Sequence, residues 1–225
     1  MLLQLQIGKT ADGSNTFFVP VLNEHYHSIN GALTESKHVF IENGLKLFGE
    51  KETVSILEIG FGTGLNALLT YVEAKRRDLR IHYTAIERYP LKKEYIERLN
   101  FPDLIETETP FFHFLHDCDW EKDVIIDAHF TLHKIENDLT KHQFNRKFDL
   151  IYFDAFAPDK QPEMWTPEIF THLFAQTNEK GILTTYCAKG SVRRMLQTAG
   201  YTTERLPGPP GKREMLRGRK NILLK

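Results

Sequence analysis

Two cysteines, Cys118 and Cys187, are all that 225 residues contain. They are too few for a disulfide framework and stand in no metal-type spacing, so a reducing cytoplasm is the expected compartment. Ten histidines are scattered, with no HxxxH pair framed by further ligands, and no metal site is expected. No uninterrupted apolar run approaches the ~20 residues of a membrane span. The N-terminus, "MLLQLQIGKTADG", lacks the basic start and long apolar stretch of a signal peptide. Net charge is scarce too: 29 Lys and Arg against 30 Asp and Glu leave −1, which argues against indiscriminate nucleic-acid binding. That balance is uneven. Residues 204–225 carry seven basic and two acidic side chains, and the first 203 carry 22 and 28. A basic tail on an acidic body fits focused contact with a polyanion, or equally a strand edge blunted by lysine and arginine.

What is present suits one large domain: 41% hydrophobic residues support a single core. Residues 1–50 read as an N-terminal extension. In it residues 2–7 alternate, "TADGSN" supplies a turn and "TFFVP" resumes, a hairpin pattern. Residues 34–48 then place Val39, Phe40, Leu45 and Phe48 near one helical face. Residues 51–225 read as the main domain, in which strands and helices alternate. "VSILEI", "IHYTAIE", "DVIID", "FDLIYFD", "GILTTYC", "YTTERL" and "NILLK" are the expected strands, with a short helix near 132–139. Thr166-Pro167-Glu168 opens a helix as N-cap, N1 proline and first-turn acid, and "SVRRMLQTAG" is a helix closing on glycine. The fold class is α/β: a Rossmann-like, mostly parallel seven-stranded sheet with helices on both faces. Its ligand crevice should lie outside the carboxyl ends of the strands, at the switch point.

The first of these strands runs into "LEIGFGTGLN". Gly60, Gly62 and Gly64 permit a tight turn and close approach of a ligand. A dinucleotide fingerprint would need glycine where Leu65 stands. Glu58, two residues before the loop, would repel a pyrophosphate but suits a cationic group, and Glu87 at the end of the second strand can accept both hydroxyls of a ribose. A nucleoside with a cationic amino-acid tail is S-adenosylmethionine; a structural glycine turn and an NAD or nucleotide-sugar site are the alternatives.

The fourth strand, "FDLIYF", ends in "DAFAPDKQPEMW". Asp154 should face the same crevice, and Phe156 and Pro158 give it a rigid apolar wall on which a planar acceptor can stack. The bland alternatives are that Asp154 caps a turn and that Trp165 is core.

Together, "LEIGFGTGLNALL", "DAFAPDKQPEMWTPEIF" and "GSVRRMLQTAGY…GPPGKREMLRG" resemble the MnmD/MnmC methyltransferase family of bacterial wobble-uridine modification, over about residues 15–221. "EHYHSINGALTESKHVFIENGL" is also similar to the stand-alone form. The resemblance implies a class I S-adenosylmethionine-dependent methyltransferase fold and methylation of the primary amine of 5-aminomethyl-2-thiouridine in the tRNA anticodon stem-loop. No sign of a flavin-dependent half is expected in 225 residues. The family implies that Glu58, Gly60, Gly62, Gly64 and Asn66 hold the methionine end, Glu87 the ribose, and that Asp154 sits beside cofactor and amine as the catalytic residue. Phe156, Pro158, Lys160 and Trp165 would meet the base; Lys212, Arg213, Arg193 and Arg194 would meet the tRNA. Where relatives carry Gly-Asp near the adenine this chain has Thr131-Leu132, with Asp127 a few residues earlier, so the adenine contact is unassigned. A small-amine methyltransferase or aminopropyltransferase is the alternative. An ordinary Asp near ~4 faces an alkylamine near ~10, a gap of roughly 6 units or about 8 kcal/mol. The expectation is therefore that Asp154 orients the amine and does not deprotonate it outright.

Overall fold

The structure is a computed structural model and describes residues 4–49 and 53–222. Strands β1 (Gln6–Lys9) and β2 (Asn15–Val19) pair antiparallel, and β3 (Glu24–His25) joins β2. Asp12 makes the turn between β1 and β2 by accepting from the Ser14 N–H at 3.1 Å and the Thr10 hydroxyl at 2.8 Å. It also accepts the Thr34 N–H at 2.9 Å, which ties the turn to α1 (Ala32–Ser36). The expected hairpin is there, although residues 1–3 of its alternating pattern lie outside the described residues. The helix expected over 34–48 is broken into α1, a wide π-type turn at Lys37–Glu42 and a tight turn at Leu45–Phe48. Val39, Phe40 and Leu45 are nonetheless buried as the pattern requires.

Among the described residues eight strands form the main sheet. In chain order they are β4 (Thr53–Ile59), β5 (Arg80–Glu87), β6 (Asp123–Asp127), β7 (Phe130–Glu136), β8 (Phe148–Phe153), β9 (Thr177–Thr185), β10 (Thr202–Pro207) and β11 (Glu214–Arg219). Their spatial order is β10-β11-β9-β8-β4-β5-β7-β6. The five central strands are parallel; β6, β10 and β11 attach antiparallel at the two edges. From β4 the chain first winds one way to β5 and β7, then returns to β8 and winds the other way. The switch point lies between β4 and β8, where an open α/β sheet presents its crevice.

The helices are α2 (Leu65–Arg76), α3 (Lys93–Ile96), α4 (Phe101–Leu104), α5 (Thr109–Asp117), α6 (Pro167–Gln176) and α7 (Gly190–Ala199). Thr166 caps α6 by accepting the Ile169 N–H, and Gly200 ends α7 in the left-handed conformation, as the sequence indicates. Helix α2 buries more than its Leu65, Leu68 and Leu69 stripe: Ala67, Thr70 and Ala74 on its other side are also below 1% exposed. The N-terminal segment covers it, so α2 lies between two layers.

Two expected elements differ. Residues 130–136 form strand β7 and not a short helix near 132–139, and the expected third strand, "DVIID", is the antiparallel edge β6. This makes the sheet eight-stranded where seven strands were expected. Among the described residues the last strand is Glu214–Arg219; Asn221 and Ile222 of the expected strand "NILLK" follow it outside any strand, and residues 223–225 lie outside the described residues.

Candidate active site

Beyond Ile59 the chain turns through Gly60, Gly62 and Gly64, all at positive φ (88°, 49° and 71°). A β-carbon at position 60 would lie 3.3 Å from the Asp154 carbonyl, and one at position 64 would lie 2.8 Å from the His116 ring. Glycine is therefore needed both for backbone angle and for space. Gly64 is the N-cap of α2 and does not line the cavity; Gly60 and Gly62 do. The loop is held from outside by two histidines. His27 Nε2 meets the Thr63 hydroxyl and His116 Nε2 the Thr63 carbonyl, each at 3.1 Å. Burial pushes both rings down to about 4, so they are uncharged through the neutral range.

Between this loop, the tips of β5, β7 and β8, and the N-terminal segment lies a cavity of about 730 Å³, a size typical of ligand sites. Glu87 lines it from the tip of β5. Its two oxygens accept the Gly62 N–H at 3.0 Å and the Tyr89 N–H at 2.8 Å, and each keeps a second lone pair for a hydroxyl. Burial raises its carboxyl, and the backbone donors oppose the rise.

Glu58 does not line the cavity. It is 1% exposed, and burial lifts its carboxyl well above the usual range. Its Oε1 accepts Asn66 Nδ2 at 2.9 Å, and the same nitrogen donates to Asp154 Oδ2 at 2.8 Å. Asn66, which does line the cavity, leaves Oδ1 buried with no partner. Glu58, expected beside the methionine end, stands behind Asn66 and leaves its own Oε2 buried with no partner. Asp154 follows β8 directly and donates its N–H to the Ile59 carbonyl at 3.2 Å. Burial and then the charge of Glu35 push its carboxyl up to about 7, against the Asn66 hydrogen bond and the positive charge of Lys212.

Of the expected acceptor wall, Phe156 and Lys160 line the cavity and Pro158 does not. Trp165 is core: it is 5% exposed, packs on Phe153 at 4.8 Å between ring centroids, and donates Nε1 to the Phe156 carbonyl at 2.7 Å. It supports the wall from behind. Trp165→Phe deletes that bond and leaves a cavity where the larger indole packed; the expected cost is about 2–3 kcal/mol, with cofactor affinity within a factor of three, as read by denaturant melts and calorimetry.

Of the two readings of the basic tail, polyanion contact and a blunted strand edge, the side-chain pairs bear on the second. Arg217 and Arg219 pair with Glu204, Arg205 with Glu214, and Lys220 donates to the Phe174 and Thr177 carbonyls. Lys212 pairs with Glu35 inside the cavity wall. Among the described residues of this tail, Arg213 alone keeps no such partner. On α7, Arg193 has its Nε buried and Arg194 lies against Gly190, neither in the cavity.

The sequence reading missed Tyr26, Glu35 and Tyr186. Tyr26 packs edge-on against Phe156 at 5.2 Å, with its ring where a Gly62 side chain would go. Tyr186 donates its hydroxyl to the Ala155 carbonyl at 2.8 Å. Asn137-Asp138 follow the tip of strand β7 and line the cavity with Leu139. Asp127, the earlier candidate, instead accepts the Tyr71 hydroxyl at 3.0 Å on the outer edge of the sheet. Among the described residues no cluster of three or more His, Cys, Asp or Glu side chains could hold a metal, and no helix is long and apolar enough to cross a membrane.

Residues 115–221 match the model of a family described as S-adenosyl-L-methionine-dependent methyltransferase. MnmC of Leptospira interrogans, named as a bifunctional protein of tRNA 5-methylaminomethyl-2-thiouridine biosynthesis, is 34% identical over 86% of this chain. The counterpart in Pseudomonas putida is 31% identical over the same share. The chain spans about a third of the length of these curated relatives, 32% in each. The crystal structure of MnmC2 from Aquifex aeolicus superposes with a TM-score of 0.78 at 27% identity, covering 96% of this chain and 70% of that one. The fold is that of the class I methyltransferases, and the cofactor is S-adenosylmethionine. The chain thus has the fold and, over residues 115–221, the sequence model of the S-adenosyl-L-methionine-dependent methyltransferases.

Proposed function

We propose that this chain methylates the aminomethyl nitrogen of 5-aminomethyl-2-thiouridine at the wobble position of tRNA. The observation that carries the reading is Asp154, a half-buried carboxyl near neutrality at the sheet's switch point, beside the aromatic wall of Phe156 and Tyr26. The residues fit the cofactor: Asn66 offers an unpartnered buried oxygen for an ammonium, with Glu58 behind it. Glu87 offers lone pairs at ribose depth, and Asn137, Asp138 and Leu139 form the far end for the adenine. When bound, the cofactor supplies a methyl group on a sulfonium, which an uncharged amine can attack.

This chain's task is to position the amine and take up its proton. An Asp154 carboxyl near 7 narrows the gap to an alkylamine to roughly 3 units, about 4 kcal/mol, half that of an ordinary Asp. In this proposal Asp154 acts as general base as well as orienting the amine. The anticodon base would be splayed out and stacked. Val21, Ile29 and Tyr89, each more than half exposed, rim the cavity mouth and would meet neighbouring bases. Such work on tRNA belongs in the cytoplasm.

Labelled S-adenosylmethionine offered with undermodified tRNA, and separately with polyamines, tests the reading: label should enter the wobble nucleoside of tRNA and leave the polyamines blank. Label in polyamines alone would replace the tRNA reading by the small-amine one. In the same assay kcat/KM for cofactor should rise through pH ~7 and level off as Asp154 ionises in the free enzyme.

A further inference from the structure

Glu35 and Lys212 are 177 positions apart in sequence, yet they form an ion pair in the cavity wall. Their side chains are 12% and 31% exposed. Glu35 stands on α1, and its second oxygen accepts the Ser28 N–H at 3.0 Å. Lys212 comes from the turn between β10 and β11, and its ammonium also lies 3.9 Å from the centre of the Tyr186 ring. Two further contacts fasten the same two segments. His38 Nε2 meets the Pro207 carbonyl at 2.8 Å, and Gly211, at φ +83°, leaves room for the Asn30 side chain. The pair is therefore a fixed part of the site.

We propose that Glu35 is a positioning residue for the transfer: held by Lys212 and Ser28 in the wall of the cavity that Asp154 lines, it supplies a fixed negative charge that adds to burial in fitting Asp154 to accept the proton. Two carboxylates in one partly dry site push one of the pair towards its neutral form, and the split assigns their roles. The groups facing Asp154 are Glu35 from α1, Glu58 from β4, Asn66 from α2, Tyr83 from β5, Tyr186 after β9 and Lys212. After burial, Glu35 acts most strongly, and Lys212 opposes it. Balance in the step is simple: nitrogen's lone pair forms the N–CH3 bond, sulfur keeps the pair of the broken S–C bond, and the nitrogen's surplus proton passes to Asp154 and on to water.

The proposal rests on the methyltransfer reading, so its test has a readout that needs no substrate. The difference in unfolding free energy between a protein and its Asp154→Asn variant, followed from pH 4 to 9 without cofactor, bends at the native pKa of Asp154. Glu35→Gln should move that bend at least half a unit towards acid. Lys212→Met should move it towards alkali, and Lys212→Arg should leave it in place. The acidic limb of methylation should follow each shift. A merely structural ion pair would move both single variants the same way or not at all, and either result overturns the proposal. Bends that move as stated while the methylation limb stays fixed also overturn it, since Asp154 is then not the proton acceptor. Failure of the methyltransfer reading itself would show separately, as absence of label in any amine. Should Glu35→Gln not fold, Glu35→Asp, which keeps the charge and should keep the bend, replaces it against Lys212→Met.

Discussion

Asp154→Asn should yield an enzyme that is at least ~10²-fold slower at saturating cofactor and tRNA, the usual share of a general base, and yet more stable at pH 8. The replacement keeps the bond that fixes the side chain, because an amide oxygen can still accept Asn66 Nδ2, now 2.8 Å from Asp154 Oδ2. What it removes is a carboxylate whose folded pKa, about 7, stands above the unfolded value near ~4. Such a group's favourable share is fully present below the unfolded value and is lost as pH rises through 7. Above that, the folded state carries a penalty of roughly 2–4 kcal/mol, reduced by the site's partial contact with water. Denaturant melts at pH 4 and pH 8 check it: the two proteins should agree at pH 4 and separate at pH 8. Equal stability at both, or turnover within a factor of a few of wild type, would remove Asp154 from the role of base.

Glu87→Ala should weaken S-adenosylmethionine binding by roughly 100-fold or more, about 2.7 kcal/mol. The carboxylate does two things at once. It faces the cavity, and it joins the loops after β4 and β5 through the Gly62 and Tyr89 N–H groups. Hydrogen bonds to a charged acceptor contribute about 1.5–3 kcal/mol each, so losing both also loosens the glycine loop. Glu87→Gln retains one carbonyl acceptor and should fall between. Titration calorimetry with cofactor alone measures both variants. Affinity of Glu87→Ala within threefold of wild type would take the ribose away from this residue.

The central sheet was legible because parallel strands buried on both faces read as short apolar runs, "VSILEI" and "FDLIYF" among them. Strand β7 was not, for one reason. Phe130, Leu132 and Lys134 share its inner face, and Lys134 is fully buried there, donating to the His116 carbonyl with its ammonium 4.7 Å from the centre of the Trp120 ring. A lysine at a core position destroys the alternation that marks a strand. Misreading β7 then hid Asn137 and Asp138 and turned attention to Asp127. In the site, the glycine loop and Asp154 were legible from local spacing. Glu35 was not, because its significance depends on Lys212, and no local pattern links them. Tail charge left two readings open for the same reason: counting cations does not show that Arg217 and Arg219 share Glu204.

Strand β11, the last in chain order among the described strands, sits between β10 and β9. Until it threads into place, β9 presents an open edge, and Glu35 waits for a lysine that the ribosome has yet to deliver. A chain stalled after β10 would own every sheet-tip acid and no finished chamber. Closing the chamber thus depends on a pairing of residues 177 positions apart in sequence, and long-range closure of that sort is the slow kind. Maturation of the chain should be more sensitive to shortening of the final hairpin than to equal losses anywhere along the outer edge at β6.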